Sequence, residues 1–282
     1  MRIADYLRLL LLAAIWGASF LFMRIAVPQF GAINTAFLRV FFGFTGLAVI
    51  LFIFKSSFDF KDKFKSSVML GVINSGLPFL MYCLAAKWLP AGYSAILNAT
   101  TPLMGAVIGF AFFAEKLTFR KWAGMLLGIV GIIAIATIGE PLSAEKQIAG
   151  VIACLIATSC YATAGFLISN KGGLDPKIVA FGSQIGASFF LLPFFIWSTH
   201  SGPTVNWLQQ EAWISVLAVG AICTAFAYIL YFRLIADIGP LRSLTVTFLI
   251  PPFGVLWGYM VLNETVNNGF VIGAIIIGIA VW

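Results

Sequence analysis

Charge is what this sequence has least of. Lysine, arginine, aspartate and glutamate together make up 10% of its 282 residues, where a soluble globular domain carries about a quarter. Histidine occurs once, at His200 in "STHSGPT". One histidine cannot build an H-E-x-x-H zinc site, and a loop histidine offers no base to a nucleophile inside the apolar stretches. No G-x-x-x-x-G-K-[ST] run is present, which removes the usual nucleotide-binding loop. The four cysteines, Cys83, Cys154, Cys160 and Cys223, all fall inside apolar stretches, where a buried thiol is an ordinary small hydrophobe. With no Cys-x-x-Cys pair, neither disulfide nor metal site is expected. The inventory points away from an enzyme and calls for no cofactor.

Acids are scarce where they would matter most. The ten are Asp5, Asp59, Asp62, Glu115, Glu140, Glu145, Asp175, Glu211, Asp237 and Glu264. Each falls in a loop or at the end of an apolar stretch. A carboxylate at mid-membrane is costly and commonly marks a proton pathway, so a relay built on a central acid has nothing to work with here.

What the chain has is hydrophobicity, 61% of its residues. About 20 apolar residues cross a bilayer as a helix. The spans fall at 9–27, 34–54, 67–86, 91–113, 121–138, 148–168, 178–198, 212–233, 241–262 and 268–282. Their unbroken apolarity excludes a β-barrel, whose strands alternate. The first is too long for a signal-peptide core and no A-x-A site follows it. The expected fold is an all-α polytopic membrane protein with ten transmembrane helices.

The net charge of +7 follows from topology. With the N-terminus cytoplasmic, 13 of the 17 basic residues fall in inner segments, leaving only Arg24, Arg39, Lys87 and Lys146. Short inner loops are enriched in Lys and Arg, so both termini are expected in the cytoplasm, His200 outside, and the chain in the cell inner membrane. No nucleic-acid partner is implied. The expected partners are a small-molecule substrate and membrane lipid.

The chain repeats itself. "NATTPLMGAVIGFAFFAEKLT", from Asn98, and "TFLIPPFGVLWGYMVLNETVN", from Thr247, stand 149 residues apart. Pro102, Gly105 and Glu115 then meet Pro251, Gly254 and Glu264, so both stretches read P-x-x-G-x9-E. Gly71, Tyr82 and Gly124 meet Gly220, Tyr231 and Gly273 at the same spacing. Earlier in each half the offset is 145, where Trp16 meets Tyr161 and Arg39 meets Gln184. The units run 1–140 and 141–282. Five spans is an odd number, so the second unit enters the membrane from the opposite side. Inverted repeats of this kind recur in secondary transporters, with substrate near the midplane between them.

Two five-span halves, each closing on P-x-x-G-x9-E and a Gly-rich last helix, resemble the drug/metabolite transporter superfamily and, more narrowly, its EamA-type exporters. Leu38–Arg39, Trp16 and "E-x-L-T" at Glu115–Thr118 are similar to that pattern, while "NETVNN" departs from it. The resemblance implies an exporter of small metabolites, often amino acids, working by alternating access. Lipid or lipid-linked substrate flipping is a second transport reading, and a non-transporting membrane scaffold is the third.

The residues expected to bind substrate are the polar and amphipathic ones at mid-span depth: Trp16, Asn74, Tyr82, Asn98, Thr101, Tyr161, Tyr228 and Thr245. Tyr82 and Tyr231 could equally be interfacial anchors. Pro102 and Pro251 are expected to kink spans four and nine, since a helix-interior proline removes a backbone hydrogen bond. Arg39, about a turn and a half into span two, is expected to snorkel outward, with pairing to a substrate carboxylate as the alternative. Glu115 and Glu264 each stand just before another helix, whose N-terminus favours negative charge; the alternative is a gate contact. Gly-rich spans five and ten read as scaffold, and a homodimer face is the further role open to them.

Overall fold

The computed structural model describes residues 2–53, 64–116, 118–137, 144–170, 176–202, 205–243 and 245–281. The part of the predicted inner loop Lys55–Lys65 that precedes residue 64, and the acids Asp59, Asp62, Glu140 and Asp175, lie outside them. The described residues are helical almost throughout, and no strand occurs among them.

Spans one and two are one helix by hydrogen bonding, Ile3–Ile53, turned at Gly31. Gly31 has φ 78°, a conformation glycine reaches without a Cβ penalty. Span three is Lys65–Ala85, and span four is a broken pair, Ala91–Asn98 and Thr101–Phe112, bent by 40°. Span five is Phe119–Thr137, span six Ala144–Asn170 and span seven Pro176–Ser201. Span eight is Gln210–Ile238. A single turn, Pro240–Ser243, precedes span nine, Val246–Leu262, and span ten is Asn268–Val281. The outer surface is paved with exposed large apolar side chains, such as Phe189, Trp197, Ile214 and Ile275. Water-facing surfaces rarely carry such a belt. This is a polytopic helical membrane protein.

The two repeats interlock. Span one packs on spans eight and nine: Leu9, Leu12 and Ala13 share a cluster with Ala227, Leu234 and Val246, and Trp257 Nε1 donates to the Ala14 carbonyl at 3.0 Å. Span six packs in the same way on spans three and four. The helices thus group into a 1-8-9 bundle and a 3-4-6 bundle, each borrowing one helix from the other repeat, with one large apolar cluster running through both. Spans five and ten pack on each other. A Cβ on Gly131 would stand 2.8 Å from Ile277 and 3.1 Å from the Gly273 carbonyl, so this glycine face is filled within the chain.

Spans three and eight each contain a π-helical stretch, Val72–Gly76 and Ala218–Phe226. At the 149-residue offset the first maps inside the second. A π stretch holds one residue more per turn than an α-helix and is common at functional sites.

The two prolines behave differently. Pro102 follows the break in span four directly. Lacking an N–H, it leaves the Asn98 carbonyl free, and Thr101 Oγ1 donates to that carbonyl at 2.7 Å. In span nine the helix runs on through Pro251 and Pro252. Among the described residues the helix of span nine has no break at Pro251, where the sequence predicts a kink.

Candidate functional site: a central cavity between the bundles

A cavity of about 320 Å³ lies between the two bundles. That is the lower end of the range of about 300–1,000 Å³ typical of small-molecule sites. Seven of the eight residues singled out from the sequence line it: Trp16, Asn74, Tyr82, Asn98, Thr101, Tyr161 and Tyr228. They come from spans one, three, four, six and eight, so both repeats contribute.

The lining is held by local chemistry. Tyr82 donates its hydroxyl proton to Asn98 Oδ1 at 2.8 Å, tying span three to the break in span four. Tyr82 also packs edge-on against Phe20, with centroids 5.3 Å apart, and lies 6.2 Å from the Tyr161 ring. Trp16 faces Tyr231 at 5.4 Å. Tyr231 lines the cavity as well, so neither it nor Tyr82 is a surface anchor. Span three is joined to span seven by two side-chain bonds across the repeats. Asn74 Nδ2 donates to Ser183 Oγ at 3.2 Å, and Gln184 Nε2 to Ser75 Oγ at 3.0 Å.

Two expectations are corrected. Thr245 is exposed and outside the cavity, its hydroxyl given to the Arg242 carbonyl at 2.7 Å. Thr247, two residues on, lines the cavity instead. Its position could have been found, because the 149-residue offset pairs it with Asn98. The same offset pairs Tyr228 with Phe79, another lining residue the sequence reading passed over. Arg39 does not snorkel. It is 6% exposed, with its guanidinium carbon 3.6 Å from the Phe79 ring centroid and Nη1 3.2 Å from Met23 Sδ.

The paired glutamates do not cap the helices that follow them. Those caps belong to Thr118, whose Oγ1 accepts from Lys121 N at 3.4 Å, and to Asn267, whose Oδ1 accepts from Phe270 N at 2.8 Å. Thr118 and Asn267 are themselves 149 apart. The helix ends preceding the glutamates match too: Ala114 and Asn263 have φ 54° and 52°, and Glu115 N and Glu264 N donate back to the Gly109 and Gly258 carbonyls. This geometry leaves the carboxylates free to reach elsewhere. Both oxygens of Glu264 accept from Ala91 N at 2.9 Å, at the start of span four. Arg24 lies beside it, Nε to Oε1 4.0 Å, and bonds the Ala86 carbonyl at the end of span three. Glu115 is half-exposed and pairs with Lys121 of its own repeat at 3.4 Å.

An internally duplicated helical membrane protein with a polar and aromatic cavity between interlocked bundles has the architecture of a secondary carrier. The sequence model of the EamA-like transporter family matches residues 5–137 and again 148–282, and the chain belongs to that family. It is 24% identical over 270 residues to the uncharacterized transporter YoaV of Bacillus subtilis, covering 93% of this chain and 90% of the relative. An uncharacterized transporter of Archaeoglobus fulgidus is 24% identical over 283 residues, with 98% and 95% covered. Protein PecM of Dickeya dadantii is 23% identical over 212 residues, with 74% and 69% covered. One solved crystal structure superposes with a TM-score of 0.64 over 100% of this chain and 98% of its own, at 16% identity; this likeness concerns the fold alone.

Proposed function

We propose that the chain is an inner-membrane secondary transporter that exports small metabolites such as amino acids by alternating access. The observation that carries this reading is a mid-span cavity built by both repeats and closed at one end by a contact between bundles. Among the described residues span nine packs mainly on Ala91–Asn98, the first part of span four, rather than on Thr101–Phe112. The end carrying Glu115 also carries Arg8, Lys116, Arg120, Lys121, Arg233 and Arg242, so the positive-inside rule assigns it to the cytoplasm. The conformation is then the inward-facing one, sealed outside by Glu264 on Ala91.

The acid placement supports transport driven by the substrate's own gradient. No carboxylate lines the cavity among the described residues, which leaves no group there to carry a proton across. Proteoliposomes preloaded with an amino-acid pool test both points. Counterflow with no pH gradient is the expected result. Absence of counterflow for every member of the pool would sink the transporter reading, and accumulation driven by an imposed proton gradient alone would sink the facilitative one.

A further inference from the structure

The cavity lining differs between the repeats at several positions, but in charge at one. Arg39 and Gln184 are equivalent in the two repeats, and both are buried, at 6% and 0% exposure. Gln184 is neutral; its Nε2 donates to Ser75 Oγ, while its Oε1 has no hydrogen-bond partner. Arg39 is a permanent cation that lines the cavity. Its Nε has no hydrogen-bond partner, and among the described residues it makes no ion pair. What it touches is a thioether, a weak acceptor, and the face of Phe79, which attracts a cation but offers no anion.

An uncompensated charge away from water is costly, and the cost is relieved by an ion pair with good hydrogen bonds. No described residue supplies that anion: Glu264 is engaged by Ala91, and Asp237 by Arg8 and Arg233. We infer that Arg39 receives the carboxylate of the transported molecule, an amino acid or a simple organic acid, while Trp16, Tyr82, Tyr161 and Tyr228 hold its apolar or aromatic body. A guanidinium fork matches a carboxylate through two parallel bonds. The same charge balance, one cation and no acid on the lining, turns away molecules that are only cationic. This deepens the transport reading above and rests on the same cavity.

The test uses the purified full-length protein and probes sharing one ring: phenylacetate, L-phenylalanine, phenylacetamide and phenethylamine. Binding is read by tryptophan fluorescence and thermal shift. At least one of the two acids is expected to bind about tenfold or more tighter than the neutral amide and the amine, and which acid does so identifies the source of the carboxylate. Arg39→Gln, which copies the second repeat, is expected to remove that preference. Should the variant not purify, the comparison of acid with amide on the unaltered protein decides alone. Equal binding of acid and amide, tighter binding of the amine, or no binding by any probe overturns the assignment. Counterflow separates the two ideas: acid-selective binding without counterflow retires transport and keeps Arg39, whereas counterflow of the amide or amine at the acids' rate retires Arg39 and keeps transport.

Discussion

The two ends of the bundle are built from the same sequence pattern and do different things. At the Glu264 end, span nine lies against span four so closely that a Cβ on Gly254 would overlap Ala95, and one on Gly258 would stand 3.6 Å from Ala91. At the Glu115 end, among the described residues, the atoms nearest the equivalent glycines belong to span six and to Glu115. A Cβ on Gly105 would find only Ala162 of span six, at 4.0 Å, and one on Gly109 would meet Phe166 of span six and Glu115 itself. The ties differ in kind as well. Glu264–Ala91 and Arg24–Ala86 join the 1-8-9 bundle to the 3-4-6 bundle. The ion pair at the other end, Arg8 to Asp237 at 2.6 Å, joins span one to span eight inside a single bundle. A symmetric sequence in an asymmetric arrangement is what the proposed alternating-access reading requires, with one set of contacts made at a time.

Glu264→Ala should have the largest effect, because it strips a charged acceptor from a helix N-terminus at the closed end. A hydrogen bond to a charged group is worth about 1.5–3 kcal/mol. Thermal unfolding in detergent should show a loss of that order, and counterflow should fall about tenfold if the lost contact is the one that seals the outer face. Little change in either would dissolve the contrast between the ends. Asn98→Ala comes next. It leaves the Tyr82 hydroxyl without its acceptor in a buried site, at about 1–3 kcal/mol, and should reduce transport with purified yield near normal. Loss of yield alone would make Asn98 a packing residue.

Glu115→Gln sharpens the comparison from the other side. Its pair with Lys121 is half-exposed, and exposed pairs contribute about 0–1 kcal/mol, so stability should barely move. A loss matching that of Glu264→Ala would mean the Glu115 end is latched too. Thr245→Ala should be the mildest. Its hydroxyl bonds only the Arg242 carbonyl one turn back, and counterflow should stay within error of the unaltered protein; a clear fall would return Thr245 to the substrate path.

Much of this was legible because a bilayer is a demanding solvent. Apolar runs had to be helices, and polar residues at mid-depth had to face one another, which brings Asn74, Asn98, Thr101 and the tyrosines together. What depth in a span does not reveal is the face of the helix. Thr245 and Thr247 are equally polar and nearly equally deep, yet only one turns inward. Arg39 was misjudged for a related reason. Snorkelling requires an open route to the interface, and packing of Phe79 and Met23 around the guanidinium removes it. The partner of Glu264 was beyond reach as well, since it lies 173 residues away in the other repeat and no local pattern encodes it.

The π stretches bear on how length is accounted for in this chain. Each is a place where one residue more than an α-helix needs has been absorbed without interrupting the rod. Removing one residue from 72–76 would let that turn revert to α-helix with the residues beyond it keeping roughly their present direction, whereas removing one from the α-helical part of span three would turn everything beyond it by about 100°. Only the second deletion would swing Tyr82 away from Asn98. The same contrast applies to Tyr228 and Tyr231 beyond 221–225. Each stretch thus works as a phase adjuster, setting the rotational register between the half of a helix that seats against span seven or span two and the half that faces the cavity.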